Sequence, residues 1–184
     1  MYHDALVEPF RRRYGYDPRS LVSKDPADYR DWFQYRANVM TDFLRRLRHE
    51  VRTQESRLGR TCPILARVPD NAPGLMIAYG LDTERWLAED LVDGFMLSPF
   101  PLAREDPGRH LDCHVALAHR YGKVCVGGLG SLNLFRRHGT AAKENADYRQ
   151  WFFERPVYAL VDGQNRAGAD GLSVYQSETL ARIN

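Results

Sequence analysis

The fold turns on "LVDGFMLSPF" (residues 91–100) and its echo "GADGLSVYQS" (residues 168–177). Each writes Asp-Gly, Asp93-Gly94 in one and Asp170-Gly171 in the other, directly ahead of a short apolar run. Runs of that length, stopped by proline or polar residues, read as buried strands. Two further runs have the same character, "CPILARVP" (62–69) and "KVCVGGLGS" (123–131). Between them lie stretches with helical periodicity. "LDTERWLAEDL" (81–91) offers Asp82 as a cap, and "RHLDCHVALAHRYG" (109–122) sets Leu111, His114 or Val115, and Ala118 on one stripe that ends at Gly122. Residues 145–169 form a third helical region, with a break or fresh start expected at Pro156. Strand and helix alternate at intervals of roughly 30 residues, which predicts right-handed βαβ units and a parallel sheet. The class is α/β, with about four parallel strands alternating with helices.

The two Asp-Gly pairs then fall at the amino ends of their strands, where a helix has ended and the chain turns back into the sheet. Ligands of parallel sheets bind beyond the carboxyl ends, whereas the amino ends serve stability. Asp93 and Asp170 are therefore expected to be turn residues rather than catalysts. Ahead of the first strand, "YDPRSLVSKDPADYRDW" holds three turn or cap signals, Asp17-Pro18, Ser23 and Asp25-Pro26. A helix is expected from residue 26 or 27, with Asp25 as its cap and Pro26 at its first position. Tyr29, Trp32, Phe33, Arg36, Val39, Met40, Phe43, Leu44, Leu47 and Val51 recur at three- and four-residue spacing and predict its buried face. The basic segment "FLRRLRHEVR" is interleaved with Asp42 and Glu50, so it reads as a solvated face rather than a phosphate-binding patch.

With 43% apolar residues in a chain of 184, a single globular domain with a real core is expected. Lys and Arg outnumber Asp and Glu by 26 to 24, and a formal charge of +2 gives no field that implies nucleic acid. Cys62, Cys113 and Cys125 are odd in number and lack CxxC spacing, which argues against a disulfide framework or zinc knuckle and for reduced core thiols. His114 and His119 stand five apart on one helix, a spacing unsuited to a metal, so no metal or cofactor is expected. The opening "MYHDALVEPFRRRYGY" lacks the parts of a signal peptide, and no window reaches the apolar length of a membrane span. As given, the chain reads as cytoplasmic, without a membrane partner.

Beyond the carboxyl ends of the strands come "ARVPDN", "LSPFPLARED", "GGLGSLNLF" and "YQSE". Their polar inventory is Arg67, Asp70, Asn71, Ser98, Glu105, Ser131, Asn133, Tyr175, Gln176 and Glu178. Two carboxylates on one rim are what glycoside hydrolysis needs, one as acid and the other as nucleophile or base. Asp70 and Glu178, from different strand ends, are the candidate catalytic pair. Arg67, Asn71, Ser98, Tyr175 and Gln176 are the candidate substrate-binding residues. Asp70 equally suits a turn at Pro69-Asp70-Asn71. Arg67 shares a face with Leu65 and is either a substrate ligand or a structural ion-pair partner. In the last strand Ser173, Tyr175 and Ser177 alternate with Leu172 and Val174, the face that covering helices prefer. "GGLGS" allows a phosphate cradle, yet Gly127, Gly128 and Gly130 fit neither a Walker loop nor a dinucleotide fingerprint, and tight packing explains them as well.

"FRRRYGYDP" (10–18), "DWFQYRANVMTDFLRRLR" (31–48), "ARVPDN" (66–71), "YGLDTERWLAEDLVDGFMLSP" (79–99) and "GADGLSVYQ" (168–176) together resemble the second half of glycosyl-hydrolase-like family 10 domains. The resemblance spans most of the chain in the right order. It implies half of a TIM-type (βα)8 barrel, with the strands here equivalent to the fifth through eighth. Related sugar-cleaving barrels carry a carboxylate at the end of the fourth strand, which this chain does not include, or of the seventh, which here reads "VCVGGLGS" without Asp or Glu. The implied function is a carbohydrate-active hydrolase or the C-terminal half of one, inactive as an isolated chain. A non-catalytic carbohydrate-binding or assembly module is the alternative, its open sheet edges pairing with a second copy, as a homo-oligomer, or with a missing N-terminal half. A phosphate-ligand barrel enzyme relying on "GGLGS" is the third reading.

Overall fold

A computed structural model describes residues 2–23, 25–98, 110–130 and 161–175. The chain divides into two compact units, residues 1–62 with 74–91 and residues 63–73 with 92–184.

The second unit holds a four-stranded sheet of β1 (Leu65–Pro69), β2 (Gly94–Ser98), β3 (Val124–Gly130) and β4 (Gly171–Tyr175). The strands lie in the order β1-β2-β3-β4, every neighbouring pair parallel. The four apolar runs of the sequence thus become the four strands, and a helical segment at 161–166 precedes β4. The expected break at Pro156 lies outside the described residues.

Register fixes which residues share a face. Ala66, Phe95 and Cys125 form one row, and Val68 pairs with Leu97 in the next row on that face. Phe95 and Cys125 are fully buried there, and the ring of His114, from the helix at Leu111–Arg120, meets Phe95 edge to face at 6.3 Å. On the opposite face Leu65 and Val124 stay 39% and 40% exposed, with Arg67, Met96 and Val126 between the strands' ends. Helix packing therefore buries one face of the sheet more deeply than the other. Leu172 falls in the row of Gly127 on the helix-covered side, yet at the β4 edge it remains 39% exposed.

The two Asp-Gly pairs do more than turn the chain. Asp93 donates its N–H to the Ile64 carbonyl (2.8 Å) while its Oδ2 accepts from the Ile64 N–H (2.6 Å). Asp170 repeats this on Cys125, with N–H to carbonyl at 2.9 Å and Oδ2 from the amide at 2.7 Å. Each aspartate thereby grips the neighbouring strand by both polar groups of one residue, satisfying an amide at the start of that strand that would otherwise be orphaned. His119 Nε2 also lies 2.9 Å from Asp170 Oδ2. The Cys125 amide and then His119 hold the Asp170 carboxyl below its ordinary value. Gly94 is required by close approach, since a Cβ there would sit 2.2 Å from the Val124 carbonyl oxygen. Gly171 faces only Val126 methyls at 3.8 and 3.9 Å.

In the first unit the helices are α1 (Asp4–Tyr14), α2 (Arg30–Leu58) and α3 (Thr83–Ala88); the helix at Leu111–Arg120 of the second unit is α4. The three turn signals all act as caps or turns. Asp17 and Asp25 cap the 3-10 turns Pro18–Ser20 and Pro26–Tyr29, and Ser23 Oγ accepts from the Asp25 N–H. Helix α2 begins only after the second turn. Its buried residues are Trp32, Ala37, Thr41, Leu44 and Arg48, whereas Val39, Met40 and Phe43 are 38%, 40% and 51% exposed. Trp32 and Leu44 of the predicted face are buried as expected, but at Ala37, Thr41 and Arg48 the buried stripe is turned by one residue, about 100° around the helix, from the predicted Arg36, Met40 and Leu47. Polar anchors explain the rotation. Trp86 Nε1 of α3 donates to Thr41 Oγ1 (2.9 Å), and Arg48 Nε donates to the Leu91 carbonyl (3.1 Å). Glu89, which caps the carboxyl end of α3, is gripped by Arg45 on both carboxylate oxygens (2.7 and 2.8 Å) and by Arg85 Nε (2.7 Å). Those two guanidinium groups bring its carboxyl down to about 2.

The cysteines do not all enter the core. Cys125 is buried, but Cys62 lies exposed beyond α2 and Cys113 sits on the outer side of α4. Burial, with Asp170 and Asp70 nearby, pushes the Cys125 thiol up to about 12, and local desolvation and Asp112 raise Cys113. Alkylation with iodoacetamide near neutral pH should therefore modify Cys62 fastest, Cys113 more slowly, and Cys125 only after denaturation. Peptide mass spectrometry over a time course reads this order directly, and native-state labelling of Cys125 at the rate of Cys62 would contradict the packing of β3.

Candidate functional site

The carboxyl end of β1 is where the described candidate residues gather. Extended backbone continues past Pro69, so the Asp70 N–H still donates to the Ser98 carbonyl of β2 (2.8 Å). The Asn71 N–H then closes a tight turn on the Pro69 carbonyl (3.0 Å). Strand alternation sends Arg67 and Asp70 to opposite sides of the sheet.

Asp70 follows Ala66 and Val68 onto the helix side and is 5% exposed. Its Oδ1 accepts from the His110 N–H (3.4 Å) at the start of α4, a helix whose N-cap residue supplies no side-chain cap of its own. A carboxylate there suits the partial positive charge of a helix amino terminus. Asn71, fully buried, offers its carbonyl to His114 Nε2 at 2.7 Å. Because a carbonyl only accepts, His114 carries its proton on Nε2. Burial lowers the His114 pKa, against the Asn71 bond and Asp70, which raise it.

On the other side, Arg67 Nη2 donates to Ser98 Oγ (2.8 Å), joining the carboxyl ends of β1 and β2 across the more open face. Arg67 is exposed and Ser98 half-buried. Tyr175 closes β4, its backbone paired with Gly130. Gln176 and Glu178, with Glu105, Ser131 and Asn133, lie outside the described residues. The candidates thus form two groups, Asp70 with Asn71 against α4 and Arg67 with Ser98 on the opposite face.

Sequence reasoning did not find the grip of α4 on this turn. The signal was partly present, since His114 falls on the buried stripe of α4 together with Leu111, Val115 and Ala118. Its partner is a backbone carbonyl and so leaves no mark in the sequence. Gln164 was also missed. It is 4% exposed, donates Nε2 to the Gly128 carbonyl (3.3 Å), and lies so close that a Cβ on Gly127 would meet its Oε1 at 2.0 Å. Gly127 therefore leaves the room that the 161–166 segment needs to pack onto β3, while Gly128 contributes only its backbone carbonyl. Among the described residues no group of three or more His, Cys, Asp or Glu is arranged to hold a metal ion, and no helix is long and apolar enough to cross a membrane. No family model and no curated protein matches this chain.

Proposed function

We propose that this chain is the C-terminal half of a TIM-type (βα)8 barrel related to glycosyl hydrolases, and that it binds carbohydrate at the carboxyl rim of its sheet. The observation that carries this reading is the strand order. A doubly wound sheet reverses direction at a switch point, whereas β1-β2-β3-β4 runs in sequence order with every pair parallel, as consecutive strands of a barrel do. The more open face, with Leu65, Val124 and Met96, corresponds to the barrel interior, and Arg67 with Ser98 stands at its mouth.

Within this reading the binding role is better supported than hydrolysis. Asp70 is committed to the start of α4 on the far side of the sheet from Arg67, an arrangement that suits anchoring the rim. Glu178 as its catalytic partner remains part of the hydrolase proposal. The phosphate reading is weakened by Gln164, which occupies the space over Gly127.

The test is titration calorimetry against oligosaccharides of the xylan, β-glucan and chitin types, with Arg67→Ala alongside. Binding of one class, weakened about tenfold or more by Arg67→Ala at an unchanged melting temperature, is the expected result. A chain that binds none of them is not a carbohydrate module. Hydrolysis of a bound oligosaccharide that is lost in Asp70→Asn would restore the enzymatic reading to first place.

A further inference from the structure

The first turn of α4 holds the β1 turn at two points. The His110 N–H reaches the Asp70 carboxylate at 3.4 Å, and one helical turn later the His114 ring reaches the Asn71 carbonyl at 2.7 Å. Whereas the first contact is long, the second is short and sealed, for His114 and Asn71 are both fully buried. The ring rests edge to face on Phe95, and its Nδ1 is buried without a hydrogen-bond partner among the described residues. A neutral Nε2–H imidazole has its one donor paired there and leaves only the Nδ1 lone pair unmatched. An imidazolium would add an Nδ1–H donor that no described residue accepts in this arrangement, and a buried charge that water can reach only if the ring leaves.

We propose that His114 is a proton-controlled latch, its neutral form tying the turn that carries Asp70 and Asn71 to α4 and its protonation freeing that turn. Among the described residues, the charged and titratable groups that act on the ring are Asp70 from the β1 turn and His110 and Asp112 from α4, while β2 presents the uncharged Phe95. Asp70 and Asp112 favour the imidazolium, and His110 opposes it. Desolvation outweighs them all, in the direction that keeps the ring neutral. The sign follows from linkage. A histidine whose folded pKa lies below its ordinary value of 6.5 gives its full stabilisation above that value, and loses it as pH falls from 6.5 toward the folded pKa.

That the freed turn belongs to a glycan-binding rim rests on the function proposed above; the latch itself does not. Its test accordingly uses no sugar. On isotopically labelled full-length protein, the His114 ring nitrogens report tautomer and charge, and the Asp70 and Asn71 amides, bonded to Ser98 and Pro69, report the turn through hydrogen exchange. The expected result is an Nε2–H tautomer that titrates below 6.5. Protection of both amides, corrected for intrinsic exchange, should fall about tenfold or more between pH 7.5 and 5. In His114→Gln, an amide donor that does not titrate, protection should be flat across that range. Should the variant not fold, the wild-type titration decides alone. The latch is overturned if His114 titrates at or above 6.5, if the turn amides do not respond as it protonates, or if His114→Gln loosens with acid like the wild type.

Discussion

Replacing Gly94 with alanine is expected to destabilise the sheet by roughly 3 kcal/mol or more, at the upper end of the overpacking range. The added Cβ would lie 2.2 Å from the Val124 carbonyl oxygen and 2.5 Å from Val124 Cγ2. That oxygen belongs to backbone already fixed in the ladder, where the Val124 N–H donates to the Asp93 carbonyl (3.3 Å), so it cannot swing aside as a flexible side chain could. The matched control is Gly171→Ala, at the same place in the second Asp-Gly pair. Its Cβ finds ordinary contacts at 3.8 Å, and alanine restricts the unfolded chain, so the change should be neutral or stabilising by up to about 1 kcal/mol. Urea denaturation followed by circular dichroism compares the two. Equal midpoints for the two variants would mean that β2 and β3 do not approach as closely as described.

In the helical unit, Trp32→Ala is expected to cost about 3–5 kcal/mol, the range for emptying a fully buried aromatic site. Trp32 is 1% exposed and forms the core of this unit with Val7 and Phe10. Phe10 meets it edge to face at 5.2 Å, Tyr35 and Tyr2 stack on it at 6.1 and 5.5 Å, and the Arg36 guanidinium lies 5.9 Å from its ring centre. Removing the indole leaves these four groups facing a void that α1 alone cannot close. Trp32→Phe keeps an aromatic plane for these partners and should cost under about 2 kcal/mol. Thermal unfolding of the pair separates a packing role from a helix-propensity effect, since alanine is the better helix former. A Trp32→Ala protein as stable as Trp32→Phe would remove Trp32 from the core.

These positions also mark the reach of sequence reading. The strands were legible because a parallel strand covered by helices must be a short apolar run, and those runs are bounded by proline and glycine. Helix α1 was not read, because Pro9 and the Arg11–Arg13 cluster interrupt the spacing of Val7, Phe10 and Tyr14. The face of α2 was read correctly at Trp32 and Leu44 but one residue off elsewhere, because apolar periodicity weighted Met40, Phe43 and Leu47 while Thr41 and Arg48 were held inward by hydrogen bonds to Trp86 and the Leu91 carbonyl. Asp93 and Asp170 were rightly set at the amino ends of their strands. Their use of the side chain as acceptor was not foreseen, since its partners are backbone amides far away in sequence. At the rim, Arg67 and Ser98 were named without knowledge that they touch, and Asp70 and Asn71 without knowledge that they look toward α4 rather than toward Arg67.

The paired aspartate grips have a consequence for how the sheet assembles. Slipping β2 against β1 by one residue would carry the Asp93 carboxylate away from the Ile64 amide, leaving the amide unbonded and the charge against a strand that offers it nothing. The same slip against β3 would bring a bulky neighbour, Asp93 or Phe95, to the spot where only glycine clears the Val124 carbonyl. Asp170 sets the same condition for β4 against β3. The register of β2 is thus held by Asp93 and Gly94 and that of β4 by Asp170, which discriminate between alignments that apolar side chains alone would leave equally favourable.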